Sequence, residues 1–583
     1  VLRAGAPKPP IAQRACLLDG TVFNLDALAS QLGVDAAPAT VLLAAHGRWG
    51  EEMVGRLRGN FAFAILDPGE RRALLACDQL GSRSLLFHRA GPSLTFATEV
   101  RDLLPLLPRR PAPDEAAVVG WVAGTPGLGG GTMYEGVRRL GPGELLSVGE
   151  RGCEVRRYWQ PAFRQPRALS REEAAGIARE SLAAAVRRQL PEDGGAAILL
   201  SGGLDSTAVA ALAAGAEPRH APRAYSATFP RHPSIDESGL VGDALAGLGL
   251  RGSSIAIRGG SMVHGSLEYL RDWELPAASP NHFLWQPLLR RAAADGVTAM
   301  LDGEGGDELW GFSPYLLADR LRSGHPLPAL RLARRMAAGE EWRVARRRLR
   351  NFGLIGAAPA GAHGLVRSLR GPERYAPPFL SAAAARLLFE QSDPWAWKRR
   401  DGPRWWSYMV DLLIDTRARL GVTDYLRHRA VSAGLEDRHP LIDLDLVELA
   451  LGLPPTLALE AKLDRPLLRE AMAGAIPDSI RLRPEKSYFT ALLGDCLGGR
   501  DLPLARRLLG GSPEVGRYLR PGAIPRLLEV PAGQRLGLGR SWSLWRLLTA
   551  ECWLRAQSDG DFPARALEEC DTRAGDWELF PAD

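Results

Sequence analysis

Over the first 158 residues, apolar positions fall in short runs separated by turn residues. Phe61-Ala-Phe-Ala-Ile-Leu-Asp67, Ala73-Leu-Leu-Ala-Cys77, Leu85-Leu-Phe87 and Leu94-Thr-Phe-Ala97 read as strands; Pro68-Gly69 and Gly141-Pro-Gly143 read as turns. The texture changes near Arg156-Arg-Tyr-Trp-Gln-Pro161. This predicts a β-rich domain over residues 1–158 and a second domain over 165–583. Ser170-Arg-Glu-Glu173 has the spacing of a helix capping box. Beyond it, strand-like runs such as 196–200 alternate with helical runs such as 207–214, the order of an α/β domain with a parallel sheet. Residues 315–420 and 542–553 read as helical. The stretch 330–350 is crowded with arginines, either a solvated helical face or a docking surface for an acidic or peptide partner.

Composition narrows the class. The chain has 583 residues, 46% hydrophobic and 24% charged, which is enough apolar material for two to four cores of ordinary size. No apolar run reaches the ~18 residues of a membrane span, and the opening residues lack the apolar core of a signal peptide. A soluble cytoplasmic protein without membrane or nucleic-acid partners is the expectation, since a net charge of +6 over this length is weak. The basic side chains are nearly all arginine: only Lys8, Lys398, Lys462 and Lys486 are lysines. Such a rare lysine stands where a compact ammonium and a planar guanidinium are not equivalent. Six cysteines form no CxxC pair and no zinc-like cluster, so they read as reduced thiols.

Chemistry concentrates in two places. A strand candidate at 196–200 runs into Ser201-Gly202-Gly203-Leu204-Asp205-Ser206 and then a helix. Glycines let the backbone approach a ligand, and the N–H groups and dipole of a helix start attract an anion. Asp205 would repel bare phosphate, so Mg²⁺ between the two is the chemical reading. No Gly-Lys-Ser/Thr follows, so the loop is not of the Walker type. The second place is Leu301-Asp-Gly-Glu-Gly-Gly-Asp-Glu-Leu-Trp-Gly311, after the strand-like 299–301. Four carboxylates among three glycines do not read as a packed element, because buried carboxylates need counter-charge. The expectation is a second carboxylate arm, with Asp307 opposite Asp205, at the carboxyl ends of parallel strands.

These strings resemble the asparagine synthetase family. Val431-Ser-Ala-Gly-Leu-Glu-Asp-Arg-His-Pro-Leu-Ile-Asp443, Leu463-Asp-Arg-Pro-Leu-Leu-Arg-Glu470 and Arg483-Pro-Glu-Lys-Ser-Tyr-Phe489 are similar to further motifs of its synthetase domain. Gly59–Asp67, Asp78-Gln-Leu-Gly81 and Phe96-Ala-Thr-Glu99 are similar to its glutaminase domain. The resemblance implies an α/β plus α+β fold. An Ntn-hydrolase-like, β-rich glutaminase sandwich is followed by a parallel α/β ATP-pyrophosphatase domain with a helical insert and C-terminal helices. It implies ATP on Ser201, Gly202, Gly203, Leu204, Asp205 and Ser206, with adenine on the backbone of Leu200 and Thr228. Asp302 and Gly303 would line the nucleotide, and Asp205 and Asp307 would hold Mg²⁺. Lys486 would stabilise charge on the tetrahedral intermediate, the alternative being a surface lysine. Glu304 would accept the amine proton, the alternative being a structural carboxylate of the loop. Asp236 and Glu237 are further candidates for nucleotide or metal contacts. His282 and Trp285 are candidates for the substrate pocket, with core packing the alternative.

The chain departs from that family in its first domain. The family's N-terminal nucleophilic cysteine is expected to be missing: the given sequence opens on Val1-Leu2, and Cys16 is internal. Its glutamine-binding string corresponds to Asp19-Gly-Thr-Val-Phe-Asn24, and its glutamine-binding aspartate to Pro38. A glutaminase-like domain that no longer hydrolyses glutamine is the expectation, so the nucleophile arrives with the substrate. Asp302-Gly-Glu-Gly-Gly-Asp-Glu-Leu309 is most like the lasso peptide macrolactam synthetases (cyclases), whereas the similar β-lactam synthetases use a tyrosine at the position of Glu304. The resemblance implies ATP-dependent macrolactam formation in a precursor core peptide, with a leader-processing protease and a leader-binding protein as partners. The rivals are amide formation on a small acid and a non-catalytic peptide scaffold.

Overall fold

The computed structural model describes the chain except residues 1–12, 92, 128–130, 150, 151, 218–220, 338, 339, 461, 462, 485, 486, 531–535, 571–576 and 581–583. In the first domain, five strands form an antiparallel sheet in the order β1-β2-β3-β7-β8: β1 (Ala15–Val22), β2 (Gly59–Asp67), β3 (Arg72–Cys77), β7 (Glu144–Gly149) and β8 (Gly152–Arg157). A smaller sheet orders β5-β4-β6 from β4 (Leu86–Ala90), β5 (Ser93–Ala97) and β6 (Val137–Arg139). The sequence predicts β2, β3 and β5 to within two residues and β4 three residues short at its end. Alternation along β2 explains its place: Phe61, Phe63 and Ile65 face one core with helices α1 (Leu25–Leu32) and α2 (Pro38–Trp49), while Ala62 and Ala64 face another with Leu85 and Phe87.

The second domain starts with α3 (Arg171–Gln189), whose capping box forms as expected: Ser170 Oγ accepts the Glu173 N–H, and the Glu173 carboxylate accepts the Ser170 N–H. Its sheet has the order β13-β12-β9-β10-β11-β14. The strands are β9 (Ala196–Leu199), β10 (Arg223–Thr228), β11 (Gly252–Ile257), β12 (Ala299–Leu301), β13 (Glu436–Arg438) and β14 (Trp577–Phe580). The first five are parallel; β14 closes the edge beside β11 in antiparallel sense. Short all-apolar strands such as Ala-Ala-Ile-Leu suit a sheet buried on both faces, and every residue of β9 and β12 is buried.

From β9 the chain proceeds to β10 on one side and later returns to β12 on the other. The strand order therefore reverses between β9 and β12, and the crevice at their carboxyl ends is where ligands bind in such sheets. Both chemistry-bearing segments emerge there. The arginine-rich insert is helical as predicted, and Pro326–Met336 buries Ala329, Leu332 and Ala333. The long C-terminal helix Leu538–Ser558 extends the predicted 542–553 at both ends. Among the described residues no two cysteines form a disulfide. Among the described residues, no helix is long and apolar enough to cross a membrane.

Candidate active site

After β9 the chain turns through Ser201, Gly202 and Gly203 into α4 (Leu204–Ala216), three residues earlier than the sequence suggests. Gly202 adopts φ +76°, a left-handed conformation that favours glycine. The turn is held by its own hydroxyls: Thr207 Oγ1 donates to the Gly203 carbonyl at 2.7 Å, and Ser201 Oγ accepts the Gly203 N–H at 3.2 Å. No side chain caps α4, so its first N–H groups face the crevice, an anion-binding arrangement.

After β12 the acidic segment crosses over this turn. Its packing corrects the expectation of an unpacked loop. Asp302, Gly305, Gly306, Leu309 and Trp310 are buried, and Gly306–Leu309 forms one short helical turn. The physical reason is counter-charge. Arg429 donates to Asp302 at 2.6 Å, His439 Nδ1 lies 2.8 Å from the same carboxylate, and Arg417 lies 3.6 Å from Glu308. Burial alone would raise the Asp302 carboxyl, but His439 and Arg429 outweigh it and hold it below the usual range. Asp302 in turn accepts the Glu304 N–H at 3.1 Å.

The two segments enclose a cavity of about 320 Å³ lined by residues 199–206, Tyr225, Ala227, Phe229, Ile235, Glu237, Leu284, Trp285, residues 302–308, Arg429, Arg465, Arg469, Ile480, Arg483, Ser487 and Phe489. The predicted pairing of carboxylates is present. Asp205 and Asp307 both bind Arg465 Nη1, Asp307 at 2.8 Å. Two carboxylates from separate segments thus converge on one cation. Among the described residues no group of three metal-ligating side chains gathers. The donor set fits a Mg²⁺ that takes its remaining ligands from phosphate and water.

Other expected residues divide. Glu304 lies in the cavity wall; burial, then the neighbouring Asp302, push its carboxyl above the usual range, against the pull of Arg417 and Arg429. Glu237 lines the cavity and pairs with Arg483, whereas Asp236 accepts the Ser238 N–H at 3.0 Å outside it. Trp285 lines the cavity with Arg429 5.2 Å from its ring centre. His282 packs instead in the core against Tyr269 and Tyr425. Leu200 reaches the cavity, but its N–H is donated to Tyr225 and its carbonyl accepts the Ser226 hydroxyl. Ala227 and Phe229, the neighbours of Thr228, form the wall at that point. Lys486 lies outside the described residues; Arg483 and Ser487, near it in sequence, belong to the wall. Lys398 is buried far from this chemistry in sequence, its Nζ donating to the Ile355 carbonyl at 2.8 Å.

The residues missed by the sequence reading are Arg429, Arg465 and His439. His439 bridges Asp302 and Asp437, the latter at 2.9 Å from Nε2. Burial would lower its pKa, yet the two aspartates raise it from 6.5 to about 9. A raised folded-state value means that this charge stabilises the fold fully below pH 6.5 and ceases to do so as pH rises through about 9. Wild-type stability is expected to fall by on the order of 3 kcal/mol through that window. His439→Gln should lack this loss, as read by denaturant unfolding at pH 7 and pH 10.

Comparison with known proteins agrees with this architecture. The asparagine synthase family model matches residues 178–555, and the glutamine amidotransferase domain model matches residues 10–159. Asparagine synthetase [glutamine-hydrolyzing] 3 of Bacillus subtilis (strain 168) is 24% identical over 497 residues, covering 81% of this chain and 75% of that protein. A putative asparagine synthetase [glutamine-hydrolyzing] of Mycobacterium tuberculosis (strain ATCC 25618 / H37Rv) is 25% identical over 582 residues, covering 95% and 86%. Amidase chyE of Penicillium rubens is 27% identical over 333 residues, covering 53% and 48%. With a glutamine amidotransferase-type domain leading into this nucleotide crevice, the chain belongs to the asparagine synthase family of ATP-dependent amide-forming ligases.

Proposed function

We propose that the chain uses ATP to activate a side-chain carboxylate of a ribosomal precursor peptide and joins it to that peptide's own N-terminal amine, forming a macrolactam as lasso peptide cyclases do. The observation that carries this reading is the fate of Asp19. It stands in the string that resembles the family's glutamine-binding segment. Its carboxylate is engaged by Arg427 at 2.7 Å and by Arg83 at 3.9 Å. A glutamine-binding role has no support from that side chain, so the amine is supplied by the substrate.

The cavity offers the two environments the reaction needs. One half presents the α4 N-terminus, Ser201 and Ser206 to a triphosphate; the other presents Phe229, Ile235, Leu284, Trp285 and Phe489 to apolar groups. A substrate carboxylate oxygen attacks the α-phosphorus, and the bond to the β-phosphate breaks, releasing pyrophosphate. The amine nitrogen then attacks the acyl carbon, gives a proton to Glu304, and the bond to AMP breaks. Mg²⁺, held by Asp205 and Asp307, would offset charge on the phosphates. Lys486 is assigned to the charge of the tetrahedral intermediate. Holding amine and activated carbonyl in one molecule supplies proximity worth several kcal/mol, of a possible ~7–11. A precursor peptide, a leader-processing protease and a leader-binding protein are the partners this reading requires. The Trp- and Arg-rich insert supports a peptide substrate over a small acid.

The test supplies ATP and a leader-free core peptide to the full chain. AMP, pyrophosphate and a product lighter by one water are expected. Lys486→Ala should abolish that product while retaining nucleotide binding. Asparagine formed from aspartate and ammonia, or label from glutamine amide nitrogen in the product, would overturn the reading.

A further inference from the structure

Between the first domain and the nucleotide crevice runs a continuous line of buried polar groups. Arg83 follows the Asp78-Gln-Leu-Gly81 turn of the first domain, and its backbone N–H is donated to the buried Asp78 carboxylate at 3.2 Å. Its side chain passes Asp19 of the same domain at 3.9 Å and reaches on to the second domain. Arg83 Nη1 donates to Asp437 Oδ1 on β13 at 3.0 Å. Asp437 Oδ2 meets His439 Nε2 at 2.9 Å, and His439 Nδ1 meets Asp302 Oδ1 at 2.8 Å. Asp302 accepts the Glu304 N–H and lines the cavity. All four relay residues are less than one tenth exposed.

We propose that Arg83, Asp437, His439 and Asp302 form a positioning relay through which the first domain fixes the Asp302–Glu304 wall of the nucleotide cavity. The domain then has a task that needs no glutamine chemistry: it is the outer anchor of the synthetase site. Three points carry the proposal. First, each link has both a donor and an acceptor within hydrogen-bond distance, so no member can shift without breaking a buried, charge-assisted bond. Second, Asp437 and His439 lie on and just after β13, the strand paired with β12, from which the acidic segment emerges. The relay therefore ties the wall to the sheet edge and to the other domain at once. Third, the other donors to Asp302 are Arg429, on Oδ2, and the Glu304 N–H, on the Oδ1 that His439 also meets. The Glu304 N–H belongs to the wall itself, so His439 and Arg429 are the two side chains that hold this carboxylate from outside the acidic segment. His439 faces Asp302 and Asp437, with Arg83 and Arg429 one bond further on; Gln189 Nε2 donates only to its carbonyl oxygen.

The inference rests on ATP binding by this crevice, a property of the family, and not on the identity of the acceptor amine. The experiment measures ATP affinity of the full chain by calorimetry for wild type, Arg83→Met, Arg83→Lys, His439→Gln and the double variant Arg83→Met/His439→Gln. The control is Arg139→Met. Arg139 is a buried arginine of the same domain that crosses to Asp424 at 2.5 Å and touches no relay member. Arg83→Met and His439→Gln are each expected to weaken ATP binding by about tenfold, within the range found for residues along a coupled network. The double variant should be no weaker than about twofold beyond either single one, because both break the same line. Arg83→Lys should recover part of the loss, and Arg139→Met should stay within about twofold of wild type. Circular dichroism accompanies each variant; if Arg83→Met does not fold, His439→Gln and Arg83→Lys decide. Losses that multiply in the double variant, or equal losses for Arg83→Met and Arg139→Met, would overturn the relay alone. A wild-type chain that binds no ATP would overturn the nucleotide crevice itself, and the relay with it.

Discussion

Replacing Glu304 by glutamine is expected to slow amide formation by about 10²–10⁴-fold, the usual contribution of a positioned acid or base. Pyrophosphate exchange into ATP, which reports carboxylate activation only, should stay within about threefold of wild type. The split follows from where Glu304 sits. Its backbone N–H is held by Asp302 and its side chain belongs to the cavity wall. Burial and Asp302 raise its pKa, which makes the carboxylate a better acceptor for the proton that the attacking amine loses as its bond to carbon forms. Glutamine keeps the volume and removes the proton-accepting charge. The sign in pH is fixed by the same argument: amide formation should rise as pH passes upward through the raised Glu304 pKa, and the variant should lose that limb. Equal losses in exchange and in amide formation would make Glu304 part of the nucleotide site rather than the base.

A second large effect is expected at Gly303. Here the acidic segment passes directly over the start of α4, and a Cβ would lie 2.7 Å from the Asp205 carbonyl carbon and within the van der Waals shell of the Ser206 amide nitrogen. Both neighbours are backbone, so neither can rotate away. Gly303→Ala must push the two segments apart, and overpacking of this kind costs roughly 1–3 kcal/mol. ATP affinity should therefore fall by about 10- to 100-fold. The fold should persist, because the strain is local to the crevice. Near-wild-type affinity in Gly303→Ala would show that ATP does not need these segments in contact.

Much of this site was legible in the order of residues. The Ser201–Ser206 turn and the acidic segment each join a short apolar strand to glycines and carboxylates, and local sequence carries such signals. Their meeting could be anticipated because loops at the carboxyl ends of parallel strands gather on one side of a sheet. Arg465 was not legible. It binds Asp205 and Asp307 from a segment far along the chain, and in a sequence whose basic residues are nearly all arginine no single one stands out. His439, like Arg465, lies inside a quoted motif, but nothing in that string shows that its two ring nitrogens meet Asp302 and Asp437. The burial of Asp302 was misjudged for the same reason: the partners that make it tolerable, Arg429 and His439, come from elsewhere. His282 illustrates the converse, a chemically suggestive side chain in a tempting place that the core simply absorbs.

The antiparallel partner of β11 has a consequence for biogenesis. Ser254–Ile257 finds its outer neighbour only in Trp577–Phe580, after nearly the whole synthetase domain has been made. Until then a nascent polypeptide carries a ready template for pairing with another copy. Premature termination upstream of this strand would therefore be felt as self-association before it is felt as lost catalysis.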